Sequence, residues 1–123
     1  MKPYTIEFTR KRNEKPGYLI PIEDTELGFP IRRVFTISGL PNGGKRGYHG
    51  HRETTTQCIV CLQGSVELES GGETWKLNSD TVGLVVPPDN YIVMDFKPDT
   101  ILMVLCSTLF ADDIRFEEAS NTN

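Results

Sequence analysis

Short apolar runs separated by turn-forming residues follow one another along most of the chain. Residues 66–69 alternate apolar and polar side chains, which is typical of a half-buried strand. Residues 100–106 are apolar almost throughout, as in a strand covered on both faces. The pattern predicts ten strands, at 4–9, 18–23, 31–38, 46–53, 57–62, 65–69, 74–77, 82–86, 91–96 and 100–106. Many short strands at regular spacing favour a sandwich or a closed barrel.

Helix signals are confined to residues 110–119, where Asp112 or Asp113 could lie near an N-cap. We therefore expect an all-β barrel, formed by residues 1–123 as one domain, with a short C-terminal helix or tail. The first strand places Tyr4, Ile6 and Phe8 on one apolar face. An exposed strand of this kind invites pairing with a second chain, so a homodimer is predicted. The alternative is that the strand pairs within its own barrel.

Charge and hydropathy exclude several classes of protein. The formal net charge is -4, which argues against a nucleic-acid-binding surface but allows a local basic pocket. No apolar stretch approaches the roughly 18 residues of a membrane span, and no signal-like segment opens the chain. We expect a cytoplasmic protein without membrane contact.

The three cysteines are Cys58, Cys61 and Cys106, and the first two have CxxC spacing. They lie in an apolar run with strand character, where residues three apart point to opposite faces. The sequence thus favours buried thiols that pack as small hydrophobic groups over a redox pair or a zinc site. An odd cysteine count fits a reducing compartment.

His49 and His51 are the two histidines of the chain, and they carry the candidate chemistry. On a strand they point the same way, about 6.5–7 Å apart. Such a pair can bind a metal or transfer protons near neutral pH. A metal site usually needs three or four protein ligands, so proton transfer is favoured and no metal is expected. A structural role for both side chains is the alternative.

Three further residues are candidates for binding a substrate: Arg46, Arg33 and Tyr91. Arg46 could bind a phosphate, although strict alternation places it opposite the histidines unless the strand bends at Gly47. Arg33 lies within a predicted strand, where it needs a partner. That partner could belong to the protein or to a ligand. Tyr91 could stack on a base or a sugar, or lie in the core.

The motif Arg46-Gly47-Tyr48-His49-Gly50-His51 is followed by the apolar run at 57–62 and then by Gln63-Gly64-Ser65. This combination resembles the dTDP-sugar 3,4-ketoisomerases, the WxcM-like branch of the cupins. Val86-Pro87-Pro88 is similar to a turn of the same family, and residues 110–115 are similar to its C-terminal segment. The resemblance covers nearly the whole chain.

The resemblance implies a cupin-type β-barrel, or jelly roll, that forms homodimers and needs neither metal nor cofactor. Its substrate would be a nucleotide sugar, dTDP-4-keto-6-deoxy-D-glucose, which is converted to the 3-keto isomer. One histidine, expected to be His49, would move the carbon-bound proton through an enediol. His51 would move protons between the two oxygens.

Several positions depart from the family pattern. Gly50 stands where alanine is common, Thr56 where glutamate is usual, and Thr36 where the strand is rich in tyrosine. After the Pro-Pro turn the chain reads Tyr91-Ile92. These departures leave open a cupin that binds a nucleotide sugar without turning it over, as a sensor or pathway partner. A metal-dependent cupin, with Glu53 or Asp95 helping the histidines, is a third hypothesis.

Overall fold

The computed structural model describes residues 1–11 and 16–117. Strands account for most of the regular structure, as the sequence predicts. The strands are β1 Tyr4–Glu7, β2 Arg33–Ile37, β3 Gly44–Arg52, β4 Gln57–Gln63, β5 Val66–Ser70, β6 Glu73–Leu77, β7 Val82–Val86, β8 Ile92–Phe96, β9 Ile101–Cys106 and β10 Ile114–Phe116. One α-helix, α1 Asp24–Leu27, and one 3₁₀ turn, Phe110–Asp112, complete the regular elements of the described residues.

The strands form two five-stranded antiparallel sheets. The first has the order β1-β7-β4-β9-β2, and the second has the order β10-β3-β8-β5-β6. Ile59 and Leu102 of the first sheet share one buried cluster with Leu68 and Phe96 of the second. The main core therefore lies between the sheets. This is the all-β architecture that the strand pattern predicts, and it agrees with the cupin-type barrel that the family resemblance implies.

A second buried cluster covers the outer face of the first sheet. Its sheet residues include Cys58 and Leu105, and Phe8 and Leu27 pack over them. Cys61 belongs to the inner cluster instead, so the two CxxC thiols lie on opposite faces of β4, as predicted. Both are free and buried, and burial raises the pKa of Cys58 to about 12. These thiols are packing groups.

The strand predicted at 18–23 is absent. The segment forms a single bridge, between Lys11 and Leu19, and then continues into α1. Ile20 and Ile22 pack against the outer cluster, so the apolar residues that suggested a strand cover the sheet instead of extending it. The helix begins with a capping box, in which the Glu23 main-chain N–H donates to Glu26 Oε1 at 3.2 Å.

The C-terminal helix predicted at 110–119 is also wrong within the described residues. The 3₁₀ turn ends at Asp112, and β10 then pairs with β3, Arg115 lying opposite His51. Phe116 is buried above Gly50, which has no side chain to exclude it. The gain from burying this ring explains why a segment rich in acidic residues becomes a strand. Residues 118–119 of the prediction lie outside the described residues.

Strand β1 pairs with β7 of the same chain, in the register Tyr4 to Val85. Phe8 is buried and Ile6 packs against the outer cluster. Two residues of the apolar face, Ile6 and Phe8, are thus covered within one chain, as in the alternative that the strand pairs within its own barrel, whereas Tyr4 stays 39% exposed. No helix in the described part of the chain is long and apolar enough to cross a membrane.

Candidate active site

A cavity of about 580 Å³ lies between the two sheets, on the side where β2 and β10 form their edges. Its apolar lining includes Ile59 and Val104 of the first sheet and Met94 of the second. Polar groups converge from β2, β3 and β10. The lining residues are Arg33, Phe35, Thr36, Ile37, Arg46, Gly47, Tyr48, His49, His51, Gln57, Ile59, Met94, Val104, Phe110, Asp113 and Arg115. An apolar cavity with a few convergent polar groups is the usual form of a small-molecule site.

The two histidines lie side by side in this cavity. Their ring centroids are 5.0 Å apart and the rings are nearly perpendicular. Nδ1 of His49 lies 3.0 Å from the Gly47 carbonyl oxygen, and Nδ1 of His51 lies 2.8 Å from Asp113 Oδ1. Both partners are acceptors, so each neutral ring carries its proton on Nδ1 and its lone pair on Nε2.

A bulge in β3 brings Arg46 to the same cavity. The register with β8 shifts between Gly47 and His49, where Tyr48 has a φ of 55°. The extra residue reverses the alternation, so Arg46 and His49 share the inner face. The placement that strict alternation predicts for Arg46 is therefore wrong, and the bend at Gly47 is the reason. A Cβ at Gly47 would lie 2.8 Å from the Ile92 carbonyl oxygen, which makes glycine necessary there.

Like Arg115, which lines the same cavity, Asp113 is a site residue that the sequence did not identify. Its side chain is 2% exposed and joins His51 to Arg33, whose Nη2 lies 3.1 Å from Asp113 Oδ2. The sequence pattern treated this residue as part of a helix start, which hid its role. Its position immediately before the alternating residues Ile114, Arg115 and Phe116 is the signal that could have revealed it, because alternation places Arg115 and Asp113 on one face.

Burial has the largest effect on the pKa values of the two histidines. It lowers the pKa of His49, and the hydrogen bond that the ring donates to the Gly47 carbonyl oxygen only partly offsets this. It likewise lowers the pKa of His51, against the opposing effect of Asp113. Burial alone would raise the pKa of Asp113, but its contacts with His51, Arg33 and Thr55 hold it below the usual range. At neutral pH the site thus contains two neutral imidazoles and one carboxylate.

Arg33 has the partner within the protein that its place in a strand requires. Its Nη2 donates to Asp113 and to Cys106 Sγ, and its guanidinium lies between the rings of Phe35 and Phe110, at 5.7 and 5.6 Å. Its Nε and Nη1 atoms are buried and have no hydrogen-bond partner among the described residues. Arg33 is therefore a paired residue with donors still available to a ligand.

Tyr91 does not line the cavity. It precedes β8, and its ring lies 6.4 Å from that of Phe116, on the side of β3 that faces away from the histidines. The prediction that it contacts the substrate is not supported by this position.

Among residues 1–11 and 16–117, no group of three or more His, Cys, Asp and Glu side chains is placed to hold a metal ion.

A jelly-roll barrel with paired histidines on its inner wall defines a small-molecule cupin. The family described as "FdtA: WxcM-like, C-terminal" matches residues 1–118, and the chain belongs to this family. A TDP-4-oxo-6-deoxy-alpha-D-glucose-3,4-oxoisomerase from Aneurinibacillus thermoaerophilus is 36% identical over 116 residues, which are 89% of this chain and 82% of that protein.

Solved structures agree with this assignment. The sugar 3,4-ketoisomerase QdtA from Thermoanaerobacterium thermosaccharolyticum, in complex with TDP, has a TM-score of 0.82 at 31% identity, covering 92% of this chain and 87% of that one. A 3,4-ketoisomerase from Helicobacter canadensis shares the fold, with a TM-score of 0.88 at 24% identity, covering 99% and 95%. A histidine-to-asparagine variant of QdtA is known in complex with TDP-4-keto-6-deoxyglucose.

Proposed function

We propose that this protein is a TDP-sugar 3,4-ketoisomerase that converts TDP-4-keto-6-deoxyglucose to its 3-keto isomer. The observation that carries the proposal is the pair of neutral histidines, 5.0 Å apart, with both Nε2 lone pairs available in a cavity of about 580 Å³. The 36% identity to an oxoisomerase of this specificity supports the choice of substrate.

Two neutral imidazoles suffice to balance the reaction. One removes the C3 proton, which the neighbouring C4 ketone makes acidic; the C3–H electron pair forms the C3–C4 double bond, and O4 takes the negative charge. The second accepts the O3–H proton and delivers a proton to O4. The first then returns its proton to C4 as the C3 ketone forms. Carbon C3 is oxidised and C4 is reduced, so no outside oxidant or reductant is consumed.

Recognition of the nucleotide is assigned to Arg46 and Arg115. Both line the cavity, both are exposed, and in the described part of the chain neither is paired with an acidic side chain. Guanidinium groups suit the diphosphate of a nucleotide sugar because they donate two parallel hydrogen bonds. Arg33 adds the buried donors Nε and Nη1 to the same cavity.

Replacing Arg46 or Arg115 by glutamine is expected to weaken TDP binding about 10-fold or more, since a hydrogen bond to a charged group contributes ~1.5–3 kcal/mol. Isothermal titration calorimetry with TDP measures the effect. Lys45→Gln is the matched control, because Lys45 is exposed on the same strand but does not line the cavity. Equal TDP affinities for the parent, the two arginine variants and Lys45→Gln would contradict this assignment.

Turnover is tested by incubating the protein with TDP-4-keto-6-deoxyglucose and following the sugar resonances by ¹H NMR. Appearance of the 3-keto isomer supports the proposal. If TDP raises the melting temperature but no keto sugar is converted, the protein is a nucleotide-sugar-binding cupin and the enzyme proposal is wrong.

The assembly and compartment are also proposals. Strand β2 is an edge strand with Val34 and Phe35 exposed, which supports a homodimer. Light scattering at tens of micromolar is expected to give the mass of two chains, and the mass of one chain would contradict the dimer.

Free thiols at all three cysteines support a reducing, cytoplasmic location.

A further inference from the structure

The two histidines have unequal partners, although both sit on β3. His49 Nδ1 faces a main-chain carbonyl, whereas His51 Nδ1 faces the carboxylate of Asp113. The carboxylate is 2% exposed and reaches His51 from the segment that precedes β10. A buried carboxylate is costly unless it is paired, and the second oxygen of Asp113 is paired with Arg33.

This arrangement determines which nitrogen of His51 is free. Because an ionised carboxylate only accepts, the His51 proton stays on Nδ1, although an isolated neutral imidazole prefers its proton on Nε2. Nε2 of His51 is buried and has no hydrogen-bond partner in the described residues. The lone pair is therefore left for a ligand atom in the cavity.

We propose that Asp113 is a positioning residue, which holds His51 in the tautomer with a free Nε2, and that Arg33 keeps Asp113 ionised for this purpose. The inference rests on the proposed isomerisation, in which His51 must begin as a proton acceptor. Arg33 thus supports the histidine through Asp113 in addition to any contact with the ligand.

The charged groups around His51 act in opposite directions. His49 on the same strand and Arg115 on β10 oppose protonation of the ring, and Asp113 favours it. Arg33, on β2, forms an ion pair with the other oxygen of the same carboxylate. Removing the charge of Asp113 should lower the pKa of His51 further. Removing the charge of Arg33 should raise it.

The test compares Asp113→Asn with Asp112→Asn as the matched control, because Asp112 is the exposed neighbour and does not line the cavity. The two histidines can be followed by ¹⁵N NMR across a pH titration, and a spectrum of His49→Asn assigns them. In the parent, neutral His51 is expected to be protonated on Nδ1. In Asp113→Asn its pKa falls, its Nδ1-protonated fraction decreases, and kcat drops about 10-fold or more.

A second variant keeps the test decisive if Asp113→Asn fails to fold. In Arg33→Gln the pKa of His51 should rise, the opposite direction. A His51 pKa and tautomer unchanged by either variant would overturn the proposal, whatever the activity. If the His51 resonances respond as expected but the parent converts no TDP-4-keto-6-deoxyglucose, the positioning role stands and the proposed function is wrong.

Discussion

Replacing His49 or His51 by asparagine is expected to lower kcat for TDP-4-keto-6-deoxyglucose by about 10²–10⁴-fold, the range that a positioned acid–base group contributes. Each ring supplies one Nε2 lone pair to the cavity, and asparagine supplies no group of comparable basicity. The double variant should be little worse than the more damaged single variant, because the two rings act as one proton-transfer unit.

Binding provides the control for this experiment. Stabilisation by TDP should be retained in both single variants, since the nucleotide contacts are assigned to the arginines and stabilisation follows mass action. Full activity in either histidine variant would contradict the paired mechanism. Loss of TDP binding together with activity would instead indicate that the histidines support the shape of the cavity.

The largest expected effect on stability comes from Gly50→Ala. A Cβ at this position would overlap Phe116 Cζ and lie 2.6 Å from the Asn90 carbonyl oxygen, so a ring or a main-chain segment must move. Overpacking of this kind costs ~1–3 kcal/mol in the free energy of unfolding. Because Phe116 anchors β10, its displacement should also loosen Asp113 and reduce kcat. Urea denaturation and the activity assay measure the two effects.

A double-mutant cycle with Phe116→Leu separates two contributions to this loss of stability, the overlap with the Phe116 ring and the overlap with the Asn90 carbonyl oxygen. The smaller side chain should recover part of the stability lost in Gly50→Ala, but not all of it, because the Asn90 oxygen remains in place. Strict additivity of the two substitutions, or a Gly50→Ala variant within about 0.5 kcal/mol of the parent, would contradict the account of this contact.

Local patterns predicted most of the fold. Alternation and turn residues predicted nine of the strands, at β1 to β9, because each of these segments has its own apolar face and ends at a turn-forming residue. The same patterns wrongly predicted a strand at 18–23, where apolar residues cover the outer face of a sheet. They also missed β10, which packs against β3 because Gly50 leaves room for Phe116. Both errors depend on contacts between residues far apart in the chain.

The candidate site was predictable to a similar degree. The histidine pair follows from spacing on one strand, and the place of Arg46 depends on a bulge at Gly47 that alternation alone does not reveal. Asp113 lies 62 residues from His51, so no local pattern could pair them. Aromatic character alone does not decide whether Tyr91 stacks on a substrate or packs within the protein, and its ring lies 6.4 Å from that of Phe116.

The central claim is that a histidine pair isomerises a keto sugar through an enediol, and solvent exchange tests it most directly. TDP-4-keto-6-deoxyglucose is incubated with the protein in D₂O, and deuterium is located by NMR. Because the proton held by the first imidazole exchanges with D₂O before it returns to carbon, we expect deuterium at C3 of the recovered substrate and at C4 of the 3-keto product, with both signals lost in the His49→Asn/His51→Asn double variant. Absence of deuterium at both carbons together with absence of product would contradict it.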